Sequence, residues 1–160
     1  MSINLIEETI WPDILKLQSE AYYLVEPESF EVMKDKWLCS PESCFVYKNG
    51  QQLLGYLLAH SWHSKQPPKL YQPLPKEVNG SILFLHDLAV SKLAKGKGVA
   101  SKMFSQLLNV AISSGYQQIR LVSVQDSKAF WMKLGFVPAK GNIFASYGVD
   151  AVLMQRVLKE

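Results

Sequence analysis

The chain has 160 residues, of which 48% are hydrophobic and 19% charged, and its net charge is +3. This length and composition predict a single folded domain, residues 1–160, with a core of its own. The mild charge argues against a nucleic-acid-binding protein, and two cysteines without neighbouring histidines argue against a zinc site or a disulfide framework.

The N-terminus and the apolar runs predict a cytoplasmic location. The first ten residues, MSINLIEETI, carry neither the basic stretch nor the long apolar segment of a signal peptide. No apolar run elsewhere is long enough to cross a bilayer. We therefore expect a reducing cytoplasmic setting, with neither membrane nor nucleic acid as a partner.

The first forty residues predict one strand and two helices. Residues Ile3–Glu7 alternate weakly, as an edge strand does. Pro12 suits the first turn of a helix whose apolar spacing continues to Tyr22. Ser29 is a suitable N-cap for a second helix, which Ser40-Pro41 ends.

A hairpin and a long loop follow. Two strand-like runs, Cys44–Tyr47 and Leu53–His60, flank Asn49-Gly50, a strong hairpin signal. The segment His63–Gly80 holds four prolines, which predicts an irregular, semi-rigid loop. Ordered loops of this length are often functional.

The second half predicts a central strand followed by alternating helices and strands. Ile82–Val90 is apolar on both faces apart from His86 and Asp87, as a strand covered on both sides would be. The helix after it ends at Ser114-Gly115. The later elements are a strand Ile119–Val124, a short helix that Asp126 or Ser127 caps and that runs to Leu134, and strands Phe136–Ala139 and Ala151–Leu158. The order β-α-α-β-β-β-α-β-α-β-β predicts an α/β protein with a mixed sheet and helices on both faces.

A short basic glycine turn between the central strand and its helix predicts a phosphate site. Gly96 and Gly98 allow a tight bend without a Cβ that would block a ligand. The helix that follows presents unpaired N–H groups and the positive end of its dipole. Four lysines surround the turn: Lys92, Lys95, Lys97 and Lys102. They also fit a solvated helix start, but the strand before the turn and the helix after it favour phosphate binding.

Three stretches resemble the GCN5-related N-acetyltransferases (GNAT superfamily), in the order and spacing that this family shows. The family's pyrophosphate loop, Arg/Gln-x-x-Gly-x-Gly/Ala, is matched by residues 95–100, KGKGVA, with lysine at the first position. The strand end LHDLAV is typical of the family, and AFWMKLGF resembles its helix FYxxxGF. The resemblance covers essentially the whole chain.

This resemblance implies acetyl-coenzyme A as the acetyl donor and a primary amine, on a small molecule or a peptide, as the acceptor. It implies a mostly antiparallel sheet of six or seven strands, in which the parallel fourth and fifth strands splay apart to admit the thioester. It places the cofactor against Leu88, Ala89, Val90, Lys95, Gly96, Lys97, Gly98, Val99, Ala100, Ser127 and Trp131. No metal is expected.

The catalytic candidates are His86, Asp87 and Tyr147. Many family members present a catalytic glutamate at the strand parity of His86, which is therefore our first candidate for the general base; a packed core histidine is the equal alternative. Asp87 points to the opposite face unless a bulge intervenes, and a buried structural carboxylate is the stronger interpretation. Trp131 replaces the family's tyrosine acid and cannot give a proton. Tyr147 is a weak substitute donor, while the N–H near Leu88 suits the oxyanion.

The acceptor pocket is expected between the first two helices and two loops, Pro67–Pro75 and Ala139–Asp150. Two clusters leave alternatives open. An aromatic cluster at the end of the third strand either lines this pocket or only packs: His60, Trp62 and His63. An acidic run either attracts a cationic amine or is ordinary solvated surface: Glu26, Glu28 and Glu31.

Two rival functions compete with the enzyme. A dinucleotide-binding unit needs a third glycine, where this chain has Ser101, and a P-loop motif is absent. A non-catalytic acyl-coenzyme A sensor stays open because Trp131 replaces the tyrosine acid. The oligomeric state is also left open, with a homodimer as one alternative.

Overall fold

A seven-stranded mixed sheet forms the centre of the computed structural model, which describes residues 2–22 and 26–159. The strands are β1 Ser2–Leu5, β2 Phe45–Asn49, β3 Gln52–Trp62, β4 Ile82–Val90, β5 Gln118–Ser123, β6 Val137–Pro138 and β7 Val152–Val157. The helices are α1 Trp11–Ala21, α2 Phe30–Cys39, α3 Val99–Ser113 and α4 Lys128–Lys133. The strand order is β1-β2-β3-β4-β5-β7-β6.

The predicted fold class and order of elements are confirmed. Every neighbouring strand pair is antiparallel except β4–β5, which is parallel because α3 carries the chain back across one face. The hairpin predicted at Asn49-Gly50 joins β2 and β3, with Gly50 at φ +62°. Ser29 caps α2 as expected, since its hydroxyl accepts from the Val32 N–H at 3.3 Å.

The sheet separates two hydrophobic cores. Alternation along β3 sends Leu57 into the core that α3 and α4 cover, and sends Tyr56 and Leu58 into the core under α1 and α2. All three side chains are fully buried, as expected for a central strand with both faces covered.

The proline-rich loop before β4 is tied to the rest of the protein. The Tyr147 hydroxyl donates to the Pro68 carbonyl at 2.6 Å, and the Leu74 N–H donates to Asp35 Oδ2 at 2.6 Å. Arg120 donates to the Lys65 carbonyl at 3.0 Å. These three bonds hold the loop against the rest of the protein. In the described ranges, every helix is too short or too polar to cross a membrane.

Candidate functional site

A cleft opens where β4 and β5 part. The two strands pair only at Ile82–Phe84 and Gln118–Arg120, although both continue further. The space between them beyond these pairs has a volume of about 360 Å³. Its walls include Leu85, His86, Asp87, Leu88, Ala89, Val90, Ala100, Leu121, Val122, Gln125, Ser127, Phe130 and Trp131. The splayed pair that the resemblance implies is thus present.

The cleft reaches the first turn of α3 at Ala100, directly after the glycine turn. Gly96 and Gly98 have φ values of +81° and +73°, which glycine adopts readily. Gly98 precedes the first residue of α3, and the Lys102 N–H donates to the Gly98 carbonyl at 3.0 Å to begin the helical bonds. The N–H groups of the first helical turn therefore have no partner within the helix. A Cβ at Gly96 or Gly98 would meet no atom within 4 Å, so the space above the turn is open.

The charge around this turn suits an anion. Lys92, Lys95, Lys97 and Lys102 are all exposed, and the helix dipole adds positive potential at the same place. Free amides, cations and open space together fit a diphosphate group. Ala100 lines the cleft itself, so a ligand held at the turn can extend between the strands.

A β-bulge brings His86 and Asp87 to the same cleft. Leu58 pairs with Asp87 and Ala59 with Leu85, which leaves His86 without a partner on β3. Simple alternation would send the two side chains to opposite faces, but a bulge re-aims one of them. Both residues line the cleft.

His86 belongs to a buried charge network whose centre is Glu28. Glu28 Oε1 bonds His86 Nε2, while Oε2 lies 3.7 Å from Lys36 Nζ and accepts from the Tyr71 N–H at 2.9 Å. Burial alone would raise the pKa of Glu28, but His86, Lys36 and the Tyr71 N–H hold it at about 2. Burial lowers the pKa of Lys36, and the charge of Glu28 opposes this.

Glu28 corrects one interpretation left open by the sequence. It is only 7% exposed, so it is not part of a solvated acidic run. Sequence reasoning missed its pairing with His86 because 58 residues separate the two. Glu26 and Glu31 are exposed, as a surface run would be.

Asp87 is buried beside two tyrosines. Its Oδ2 accepts from the Tyr56 hydroxyl at 2.7 Å. Burial raises the pKa of Asp87, while His86 and the hydroxyls of Tyr22 and Tyr56 oppose the rise. Neither tyrosine was a sequence candidate, because both fit apolar positions of a helix or a strand.

Tyr22 also occupies the backbone group expected to stabilise an oxyanion. Its hydroxyl donates to the Leu88 carbonyl at 2.9 Å, and the Leu88 N–H donates to the same hydroxyl at 3.3 Å. Both Leu88 groups therefore face the cleft rather than β3. A ligand that takes the Leu88 N–H must first displace Tyr22.

The remaining sequence candidates line the cleft in different ways. Trp131 packs against Phe130, with ring centroids 5.0 Å apart, and forms a wall. The Ser127 hydroxyl donates to the Val124 carbonyl at 2.7 Å. Tyr147 lines the cleft, but its proton is engaged by Pro68, and burial raises the pKa of its hydroxyl.

The aromatic cluster at the end of β3 is packing. His60 is fully buried, its Nδ1 donates to the Ser61 carbonyl at 2.8 Å, and its ring packs near Trp62 and Phe84. Burial lowers the pKa of His60 to about 3, so the ring is neutral. None of His60, Trp62 and His63 lines the cleft. Across residues 2–22 and 26–159, no group of three or more potential ligands could hold a metal ion.

Comparison with known proteins gives a consistent match. Residues 11–136 match the family described as "Acetyltransferase (GNAT) family". No curated protein gives a significant sequence match.

Solved structures match over nearly the full chain. Ard1 from Thermoplasma volcanium is 18% identical, with a TM-score of 0.76 and coverage of 99% of this chain and 98% of that one. The NatC complex bound to Gag peptide and CoA is 18% identical, with a TM-score of 0.77 and the same coverages. The ribosomal-protein-S18-alanine N-acetyltransferase from Escherichia coli is 15% identical, with a TM-score of 0.73 and coverage of 99% and 94%. At these identities the likeness shows the fold.

Proposed function

The chain belongs to the acetyltransferase (GNAT) family, and on that premise we propose that residues 1–160 form one N-acetyltransferase domain. It moves an acetyl group from acetyl-coenzyme A to a primary amine while both substrates are bound. One observation carries this proposal: the cleft between β4 and β5 joins an open phosphate cradle to buried acid–base groups.

The cleft fits coenzyme A along its length. The free amides at Gly98–Ala100 would hold the diphosphate, with Lys95 and Lys97 nearby. The edge of β4 at Leu88–Val90 that faces the cleft would hold the extended arm by backbone hydrogen bonds, once the Tyr22 hydroxyl has left the Leu88 N–H and carbonyl. The bound thioester supplies an acetyl group activated for transfer. Trp131 and Ser127 line the wall opposite β4.

The protein must supply a base for the amine. A lysine-like amine is protonated at pH 7, and its neutral form costs roughly 4–5 kcal/mol. We assign the base to His86, because it lines the cleft and its Nδ1 has no hydrogen-bond partner among the described residues. Asp87 is less suited, because Tyr56 already donates to its carboxylate. A positioned base contributes about 10²–10⁴-fold to the rate.

We place the acceptor beside the cleft residues that come from the segment before α2 and from the two loops expected to form its pocket. These residues are Glu26, Pro27, Leu70 and Tyr147. Their mixed apolar and acidic character suits an amine on a small molecule or on a peptide. The NatC structure, which holds a peptide and CoA, supports the peptide as the first class to test. A cytoplasmic location stays a prediction.

A non-catalytic acyl-coenzyme A sensor is the second candidate. Two observations favour it: Trp131 offers no acidic proton, and the Leu88 N–H is already engaged by Tyr22. Both candidates require coenzyme A binding, but only the enzyme requires turnover.

The test combines calorimetry with a thiol-release assay on His86→Ala. His63→Ala is the matched control, since His63 is exposed and outside the cleft. We expect wild type and both variants to bind coenzyme A, and only His86→Ala to lose turnover, by about 10²-fold or more. Absence of heat with millimolar coenzyme A would refute the family-level function in this chain. Binding without thiol release across peptides, amino acids and polyamines would favour the sensor.

A further inference from the structure

We infer that Glu28 is a positioning residue, which holds the His86 ring so that Nδ1 is the nitrogen that takes the acceptor's proton. The inference rests on the proposed acetyltransferase function. It concerns a residue outside every motif that links the chain to its family.

The hydrogen-bond chemistry of Glu28 decides the tautomer of His86. An ionised carboxylate can only accept hydrogen bonds, so the nitrogen that contacts it must carry the proton. That nitrogen is Nε2, which contacts Glu28 Oε1. In the neutral ring, Nδ1 then carries the lone pair. Nδ1 is buried and has no partner in the part of the chain that the structure describes.

Glu28 is held firmly enough to orient another side chain. Gln18 pairs with both of its backbone groups: Nε2 donates to the Glu28 carbonyl at 3.2 Å, and Oε1 accepts from the Glu28 N–H at 3.1 Å. The partners of Oε2 are Lys36 and the Tyr71 N–H. Oε1 is therefore left to His86.

His86 carries the protons of the reaction, and Glu28 stabilises its charged form. Nδ1 first takes the extra proton of the ammonium form and releases it to solvent. The neutral acceptor nitrogen then bonds to the acetyl carbon as an N–H proton passes to Nδ1, directly or through one water. The imidazolium keeps its Nε2–H on Glu28, whose negative charge offsets the new positive charge. As the carbon–sulfur bond breaks, Nδ1 gives its proton to the departing sulfur. The products are an amide and a thiol, and His86 is neutral again.

A purely structural role for Glu28 is the rival explanation. Glu28 also balances the buried Lys36 and helps to anchor the proline-rich loop through Tyr71. Asp35 provides a matched control, because it anchors the same loop through the Leu74 N–H at 2.6 Å. If loop anchoring were the whole role, Glu28→Gln and Asp35→Asn would have similar effects on turnover.

The kinetic test compares Glu28→Gln with Asp35→Asn. We expect Glu28→Gln to lower kcat by about 10²-fold while the KM for acetyl-coenzyme A changes by less than about threefold. Asp35→Asn should keep kcat within about threefold of wild type. Equal kcat values for the two variants would overturn the inference. If Glu28→Gln fails to fold, because Lys36 has lost its counter-ion, Glu28→Gln with Lys36→Met is compared with Lys36→Met alone.

A spectroscopic readout is independent of turnover. The long-range proton–nitrogen spectrum of the wild-type protein has only three histidines to assign. We expect His86 to show a protonated Nε2 and an unprotonated Nδ1. A protonated Nδ1 with a bare Nε2 would overturn the inference even if the enzyme is active. If no amine is acetylated, the proposed function fails, while this spectrum still decides how Glu28 holds His86.

Discussion

Gly98→Ala separates the ligand-binding role of the glycine turn from its contribution to stability. Gly98 has φ +73°, so a residue with a Cβ loses about 1–2 kcal/mol there. For a chain of this size, that lowers the melting temperature by roughly 2–8 °C. The added Cβ meets no protein atom within 4 Å, so it enters the space assigned to the diphosphate. Loss of one charged hydrogen bond, about 1.5–3 kcal/mol, weakens coenzyme A binding roughly 10- to 100-fold.

Gly50→Ala is the matched control for this prediction. Gly50 has φ +62° in the β2–β3 hairpin, and its Cβ would also meet nothing within 4 Å. Thermal unfolding should show similar losses for both variants, whereas calorimetry should show weaker coenzyme A binding only for Gly98→Ala. Wild-type affinity in Gly98→Ala would refute the assignment of the cradle. Equal loss of affinity in both variants would show that the effect comes from general destabilisation.

Three further predictions concern single side chains. Tyr22→Phe removes the hydroxyl that bonds the Leu88 N–H and carbonyl, so the melting temperature should fall. The KM for acetyl-coenzyme A should also fall, because the Leu88 N–H becomes free for the ligand. A raised KM would contradict competition between Tyr22 and the ligand for this N–H. The Glu28 pKa falls from 4.5 to about 2 on folding, so its contribution of about 3 kcal/mol is complete above pH 4.5 and is lost towards pH 2. Between pH 4.5 and pH 2, the free energy of unfolding measured with urea should fall more steeply for wild type than for Glu28→Gln. An equal fall in both proteins would contradict this. Tyr147→Phe should lower stability by about 1–3 kcal/mol, because Pro68 loses its donor, and leave kcat within about threefold. A much larger fall in steady-state kcat would make Tyr147 the proton donor.

Features that depend only on residues close together in the sequence could be predicted without the structure. The glycine turn at Gly96 and Gly98 is local, because two glycines and the start of α3 form it within a few positions. The hairpin at Asn49-Gly50 and the Ser29 cap are local for the same reason. The order of elements follows from apolar spacing along the chain, and it is confirmed.

The arrangement around His86 and Asp87 could be predicted only in part. Both residues were candidates, but strand alternation placed them on opposite faces. The bulge that brings them to one cleft depends on how β3 pairs with β4. The residues at the bulge contain no sequence signal that predicts it. Tyr22, at the end of α1, fits an ordinary apolar helix position, so its contact with Leu88 left no sequence signal.

The glycine turn pointed to the proposed ligand from local residues alone, because the phosphate site proposed for it uses backbone groups that a short run of residues presents. Which side chains share the cleft follows from the folded arrangement and not from the order of residues. Glu28 and His86 are 58 residues apart, and their contact exists because the residues just before α2 pack against β4. Burial makes this contact necessary, because a charged group removed from water is stable only beside a partner. The order of residues along the chain does not specify that partner.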